Sequence, residues 1–151
     1  MTERAASLVQ SAKQWATYYG GYPNGEEGAA FTAALRIRAA WDANDADAFA
    51  DMFVEDGSML VGDRQLMDRE EIRSYMATAF GGAYQGSKLT EEPIEIRLLT
   101  DSVALAVTDG GIIPSGADSV APADLVRGTW IIRKADGDWR IVSRQTSPIK
   151  G

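Results

Sequence analysis

At Leu89 the spacing of the apolar residues changes. Ahead of it they recur every three or four positions, and behind it they alternate, which is a switch from the helical to the strand period. Helices collected at the front of a chain and strands at its back are the order of an α+β protein. The fold expected is an antiparallel sheet covered by helices on one face.

The front part divides at its breakers. Leu8, Ala12, Trp15 and Tyr19 fall at helical spacing, and Gly20-Gly21-Tyr22-Pro23-Asn24-Gly25 ends that segment, so residues 1–25 read as an N-terminal helical extension to a domain covering 26–151. A long helix is predicted over 26–43, with Phe31, Ala34, Leu35, Ile37, Arg38 and Trp41 in one arc. Asn44-Asp45 interrupts it, and Asp45 can cap a short helix carrying Phe49, Met52 and Phe53 as its apolar stripe. A strand over Ser58–Gly62 follows, with Arg64–Met67 returning beside it. Asp68-Arg69-Glu70-Glu71 has the form of a capping box and opens a helix over 69–80 that stops at Gly81-Gly82.

Behind Leu89, strands are predicted over 90–99, 102–113, 123–134 and 138–147. Ala135-Asp136-Gly137-Asp138 joins the last two as a tight hairpin, since Asp-Gly suits the positive φ angles of a primed turn. A strongly bent sheet folded around the long helix leaves a pocket, and a pocket points to small molecules.

The chain contains no cysteine and no histidine. That removes disulfide frameworks, thiolate and imidazole metal sites, and Ser-His-Asp or Cys-His catalysis together. A net charge of −7 opposes phosphate backbones and anionic lipid surfaces, so neither nucleic acid nor membrane is expected as a partner. With no apolar run of spanning length, a cytoplasmic location is the expectation. Gly81 to Lys88 superficially approaches a phosphate loop, but its final pair is reversed and it runs from helix to strand rather than strand to helix. Asp45/Asp47 and Asp136/Asp138 lack the oxygen-ligand spacing of a calcium loop. No metal and no cofactor is expected.

Candidate site residues follow from parity and helical position. Arg38 lies at the edge of the first helix's arc; it either reaches the pocket to grip an anionic oxygen or snorkels to the surface. Asp109 continues the alternate positions Val103, Leu105 and Val107, placing a carboxylate inside if that set faces inward and at a strand-end turn otherwise. On the last strand Trp139, Ile141, Ser143 and Gln145 share one face, read as inward, and Arg140, Val142, Arg144 and Thr146 share the other. Trp41, Tyr75 and Trp130 either line a flat slot for a conjugated or ring substrate or serve as core. Trp15, Tyr18, Tyr19 and Tyr22 suggest a lid or a dimer patch. The roles expected are therefore catalytic for Asp109, Arg38 and Gln145, and substrate-binding for Trp41, Tyr75, Trp130 and Ser143.

Ala40 to Phe49, Met52 to Gly57 and the Gly137-Asp138-Trp139-Arg140-Ile141 hairpin exit resemble the nuclear transport factor 2-like, or SnoaL-like, superfamily over about residues 26–148. The resemblance implies a cone-shaped α+β fold with a curved sheet and an internal cavity. Phe80-Gly81-Gly82, Gly86-Ser87, Leu89, Gly110 to Pro114, Gly116 and Gln145-Thr146 are similar to the SgcJ/EcaC-type subgroup, which includes actinobacterial proteins encoded beside enediyne polyketide synthases. That implies a role in the cyclisation, isomerisation or maturation of an apolar or polyunsaturated intermediate, as an acid–base enzyme, or as a carrier that shields the intermediate or docks on a polyketide synthase. It also implies a homodimer. Through the Ala43-Asn44-Asp45 anchor, the tyrosine and base aspartate of the superfamily's ketosteroid isomerases fall on Ile37 and Val61, and their second acid near Thr129 or Trp130. None of those groups is present, so that isomerase mechanism is not expected here.

Overall fold

The structure, a computed structural model, describes residues 26–61 and 63–149. The expected N-terminal helix and the aromatic set Trp15, Tyr18, Tyr19 and Tyr22 lie outside the described residues. Helix α1 runs Glu26–Asp42, and Phe31, Ala34, Leu35, Ile37 and Trp41 are all buried along it. Asn44 takes a φ of 52°, a left-handed turn that asparagine tolerates, and Asp45 then caps α2 (Ala46–Asp51) by accepting from Ala48 N–H at 3.0 Å. In α3 (Arg69–Phe80) Asp68 does the same for Glu71 N–H at 2.8 Å.

Six strands follow this frame: β1 (Phe53–Val61), β2 (Arg64–Leu66), β3 (Lys88–Thr100), β4 (Val103–Ile113), β5 (Val126–Ala135) and β6 (Asp138–Pro148). Phe53, expected on the short helix, instead opens β1 opposite Ile141, because α2 already stops at Asp51. β1 loses register between Phe53 and Ser58, and there Arg69 Nε and one of its terminal nitrogens donate to the Phe53 carbonyl at 3.0 and 2.8 Å. The last hairpin turns through Asp136 (φ 54°) and Gly137 (φ 79°), as the Asp-Gly pair predicts.

The strands form one curved sheet in the order β2-β1-β6-β5-β4-β3. Every junction is antiparallel except β1–β6, which is parallel; no hairpin joins those two, so nothing local imposes the antiparallel sense. Register shifts at Pro93/Glu95 and Leu98/Thr100 in β3, and at Ile131/Ile132 opposite β6, bend the sheet around α1. The core lies between them. Ala104 and Ala106 of β4 face it fully buried. Among the described residues, no helix is long and apolar enough to cross a membrane.

Candidate functional site

The sheet and α1 do not close at the end where β4 and β6 terminate. A cavity of about 640 Å³ opens there, walled by Leu60 and Val61 of β1, Leu89 of β3, Ile112 of β4, Val126 of β5, and Arg144 and Thr146 of β6. Trp41 and the 81–87 loop complete it through Tyr84 and Ser87. That loop is the segment with the superficial phosphate-loop spacing, and its hydrogen bonds fasten it to α1. Trp41 Nε1 donates to Ser87 Oγ at 2.9 Å, and Ser87 Oγ donates to the Tyr84 carbonyl at 2.6 Å. Asn44 Oδ1 accepts from Gly86 N–H at 2.7 Å, and Asp42 Oδ1 accepts from Leu89 N–H at 2.8 Å. Gly86, at φ 75°, supplies a backbone turn that other residues resist.

Polar groups are concentrated behind the apolar walls. An Arg144 terminal nitrogen donates to Glu91 Oε1 at 2.6 Å, with the two side chains 6% and 1% exposed. Thr108 Oγ1 donates to Glu91 Oε2 at 2.5 Å and accepts from Trp130 Nε1 at 3.0 Å. The guanidinium carbon lies 4.9 Å from the centroid of the Trp130 ring, in a cation–π arrangement. Both Glu91 oxygens are thus engaged, while Arg144 Nε is buried with no hydrogen-bond partner. Gly128 makes room for this cluster: a Cβ there would sit 2.8 Å from Thr108 Oγ1 and 3.3 Å from Trp130 Nε1.

Tyr84 packs on Trp41 with ring centroids 4.9 Å apart. Burial pushes its phenol above the ordinary tyrosine range, and the neighbouring Tyr75 adds to that, partly offset by the positive charge of Arg144. At neutral pH Tyr84 therefore keeps its O–H.

Several expected orientations are reversed. Asp109 lies on the outer face of the sheet, 36% exposed, and its Oδ1 accepts from Arg127 Nε at 2.8 Å. Of the two faces of β4, the one carrying Ala104, Ala106 and Thr108 is the buried set, which leaves Asp109 with Val103, Leu105 and Val107 on the other. Ser143 and Gln145 are also outside, where Ser58 Oγ donates to Ser143 Oγ at 3.2 Å and Gln145 Nε2 donates to the same oxygen at 3.1 Å. Pairing passes from Ile131–Ser143 to Ile132–Ile141, so Val142 is an extra residue and Arg144, expected outside, turns in.

Trp41 lines the cavity, whereas Trp130 is fully buried within the polar cluster behind it. Tyr75 stands beside Tyr84 under the guanidinium of Arg64, 5.6 Å from its ring centroid, and is not part of the wall. Arg38 is half-buried on α1 away from the cavity wall, its Nε buried without a partner among the described residues. Glu91, Thr108, Tyr84 and Arg144 were not singled out by the sequence. Glu91 had a usable signal, since it shares strand parity with the apolar Leu89. Among the described residues no group of three or more acidic side chains is placed to hold a metal ion.

A family model for the SnoaL-like domain matches residues 29–150. The chain belongs to the SnoaL-like family. No curated protein matches this SnoaL-like domain in sequence. Among solved structures it is similar to a domain of unknown function with a cystatin-like fold from Nostoc punctiforme, at 20% identity over 83% of this chain and 78% of that one, with a TM-score of 0.74. An NTF2-like protein from Novosphingobium aromaticivorans matches at 21% identity, 79% of each chain and a TM-score of 0.67. A ketosteroid isomerase-like protein from Erwinia carotovora atroseptica matches at 20% identity, with 83% of this chain and 98% of that one covered and a TM-score of 0.66. These likenesses establish the cystatin-like, NTF2-like fold. Within it, Ile37 is buried core, Val61 is cavity wall, Thr129 is exposed and Trp130 belongs to the polar cluster, so the buried carboxylate at this end enters from β3 as Glu91.

Proposed function

We propose that this SnoaL-like domain binds a small, mostly apolar, conjugated molecule in its open-ended cavity and orients a polar oxygen of that molecule at Arg144. The observation that carries the reading is a guanidinium lining an otherwise largely apolar hollow, with Glu91 and Trp130 holding it in place. A fixed donor in a poorly solvated site favours negative charge developing on a bound carbonyl oxygen, which is the demand of isomerisation and cyclisation chemistry. Tyr84, protonated at neutral pH and hydrogen-bonded to Tyr75, borders the same hollow.

A polyketide or polyene intermediate, of the sort matured beside enediyne synthases, is the substrate class this reading favours. Its support is positional: Ser87, Leu89, Gly111, Ile112, Pro114 and Thr146, all within the segments that resemble the SgcJ/EcaC-type subgroup, lie around the cavity. A second reading, a carrier that shields the intermediate or docks on a polyketide synthase, is favoured by one observation. Neither oxygen of Glu91 is free to act as a base. Titration with β-ionone, a conjugated ketone, followed through the indole N–H resonance of Trp41, tests the binding site: saturable shifts are expected, and their absence would contradict it. Acceleration of proton exchange next to the bound carbonyl would favour the enzyme over the carrier.

A further inference from the structure

We infer that Glu91 is a specificity-determining residue: by neutralising Arg144 it makes the cavity select uncharged carbonyl compounds and reject carboxylates of the same shape. This rests on the binding reading above and extends it to the ligand's charge.

An arginine at the end of an apolar pocket ordinarily suggests an acidic ligand, because guanidinium and carboxylate match as a charge-assisted pair. Here that partner is already built in. Glu91 sits 2.6 Å from Arg144, and both side chains are withdrawn from water, so the pair carries no net charge. Among the described residues, the only other charged one on the cavity wall is Asp124, which is exposed and acidic. An entering carboxylate would therefore lose its hydration, face two acids with one cation among the described residues, and approach a chain of net charge −7.

A neutral carbonyl meets no such penalty. It needs one donor, and Arg144 lines the cavity while a single one of its terminal nitrogens is bound to Glu91 Oε1. Thr108 and Trp130 complete the arrangement from behind. Thr108 holds the second oxygen of Glu91, so the carboxylate cannot swing out to leave Arg144 free.

The test is a comparison of two near-isosteric probes, trans-benzylideneacetone and trans-cinnamate, which share a conjugated frame and differ in a methyl group against a carboxylate oxygen. Titrations of the wild-type protein are read by the indole N–H resonances of Trp41 and Trp130 near neutral pH. Benzylideneacetone is expected to bind about tenfold tighter or more. Equal or tighter binding of cinnamate overturns the inference while leaving the binding site standing; binding of neither overturns the binding reading and the inference with it. In Glu91→Gln, Arg144 keeps its charge without a carboxylate partner, and the preference should narrow or invert. An unchanged preference there removes Glu91 from the role. Glu91→Gln combined with Arg144→Gln leaves no uncompensated charge to hinder folding; it should bind the ketone more weakly and still exclude the acid, and unaltered ketone affinity would contradict the assignment.

Discussion

Two carboxylate–guanidinium pairs occupy opposite faces of the same sheet. Asp109–Arg127 bridges β4 and β5 on the outer face, at 2.8 Å with side chains 36% and 51% exposed. Glu91–Arg144 lies on the inner face at 2.6 Å, almost fully buried. The chemistry is the same, but the surroundings differ, and the surroundings decide what each pair does. Water screens the outer pair, which adds little to the pairing of two neighbouring strands. The inner pair has given up its hydration and is secured by Thr108 and Trp130, so removing either partner leaves the other stranded.

The contrast can be broken most forcefully at the inner pair. Glu91→Ala and Arg144→Ala should each destabilise the fold by about 3–5 kcal/mol, seen as a large fall in the urea midpoint, because a buried charge loses its counterpart. Smaller losses, about 1–3 kcal/mol, are expected from Thr108→Val, which strands a Glu91 oxygen and the Trp130 N–H. Gly128→Ala should fall in the same range by crowding Thr108 and Trp130. On the outer face Asp109→Asn should leave the midpoint where it was. A result in which Asp109→Asn costs as much as Glu91→Ala would erase the distinction between the faces.

Tyr84 gives an effect whose sign can be checked. Its folded-state pKa is raised by burial, so its contribution is intact below the ordinary tyrosine value of about 10 and is lost as pH rises from there through the folded value. Ultraviolet titration should show a component ionising above the ordinary tyrosine range, and Tyr84→Phe should remove it.

Much of the fold could be read from the chain because its signals are local. Asp45 and Asp68 cap where they should, the Asp136-Gly137 turn closes the last hairpin, and the change of period at Leu89 marks the passage from helices to sheet. The site was harder, for two physical reasons. A period-2 pattern defines two faces without saying which is inward, and in β4 the inward face is the one carrying Ala104, Ala106 and Thr108. In β6 the extra residue Val142 changes the phase part-way along the strand, so Ile141 and Arg144, three apart, share the inner face while Ser143 and Gln145 move outside. Bulge position depends on pairing with β5, which the sequence of β6 does not contain. Glu91 stood in plain parity with Leu89, yet a lone acid among other acids in β3 gives no further mark of burial.

A crystal structure grown with trans-benzylideneacetone examines the central claim most directly. The ketone should lie in the cavity with its oxygen within hydrogen-bonding distance of the Arg144 guanidinium, and Arg144 should remain paired with Glu91. Arg144 found on the outer face with Gln145 turned inward, or the ketone seated away from Arg144, would contradict the account.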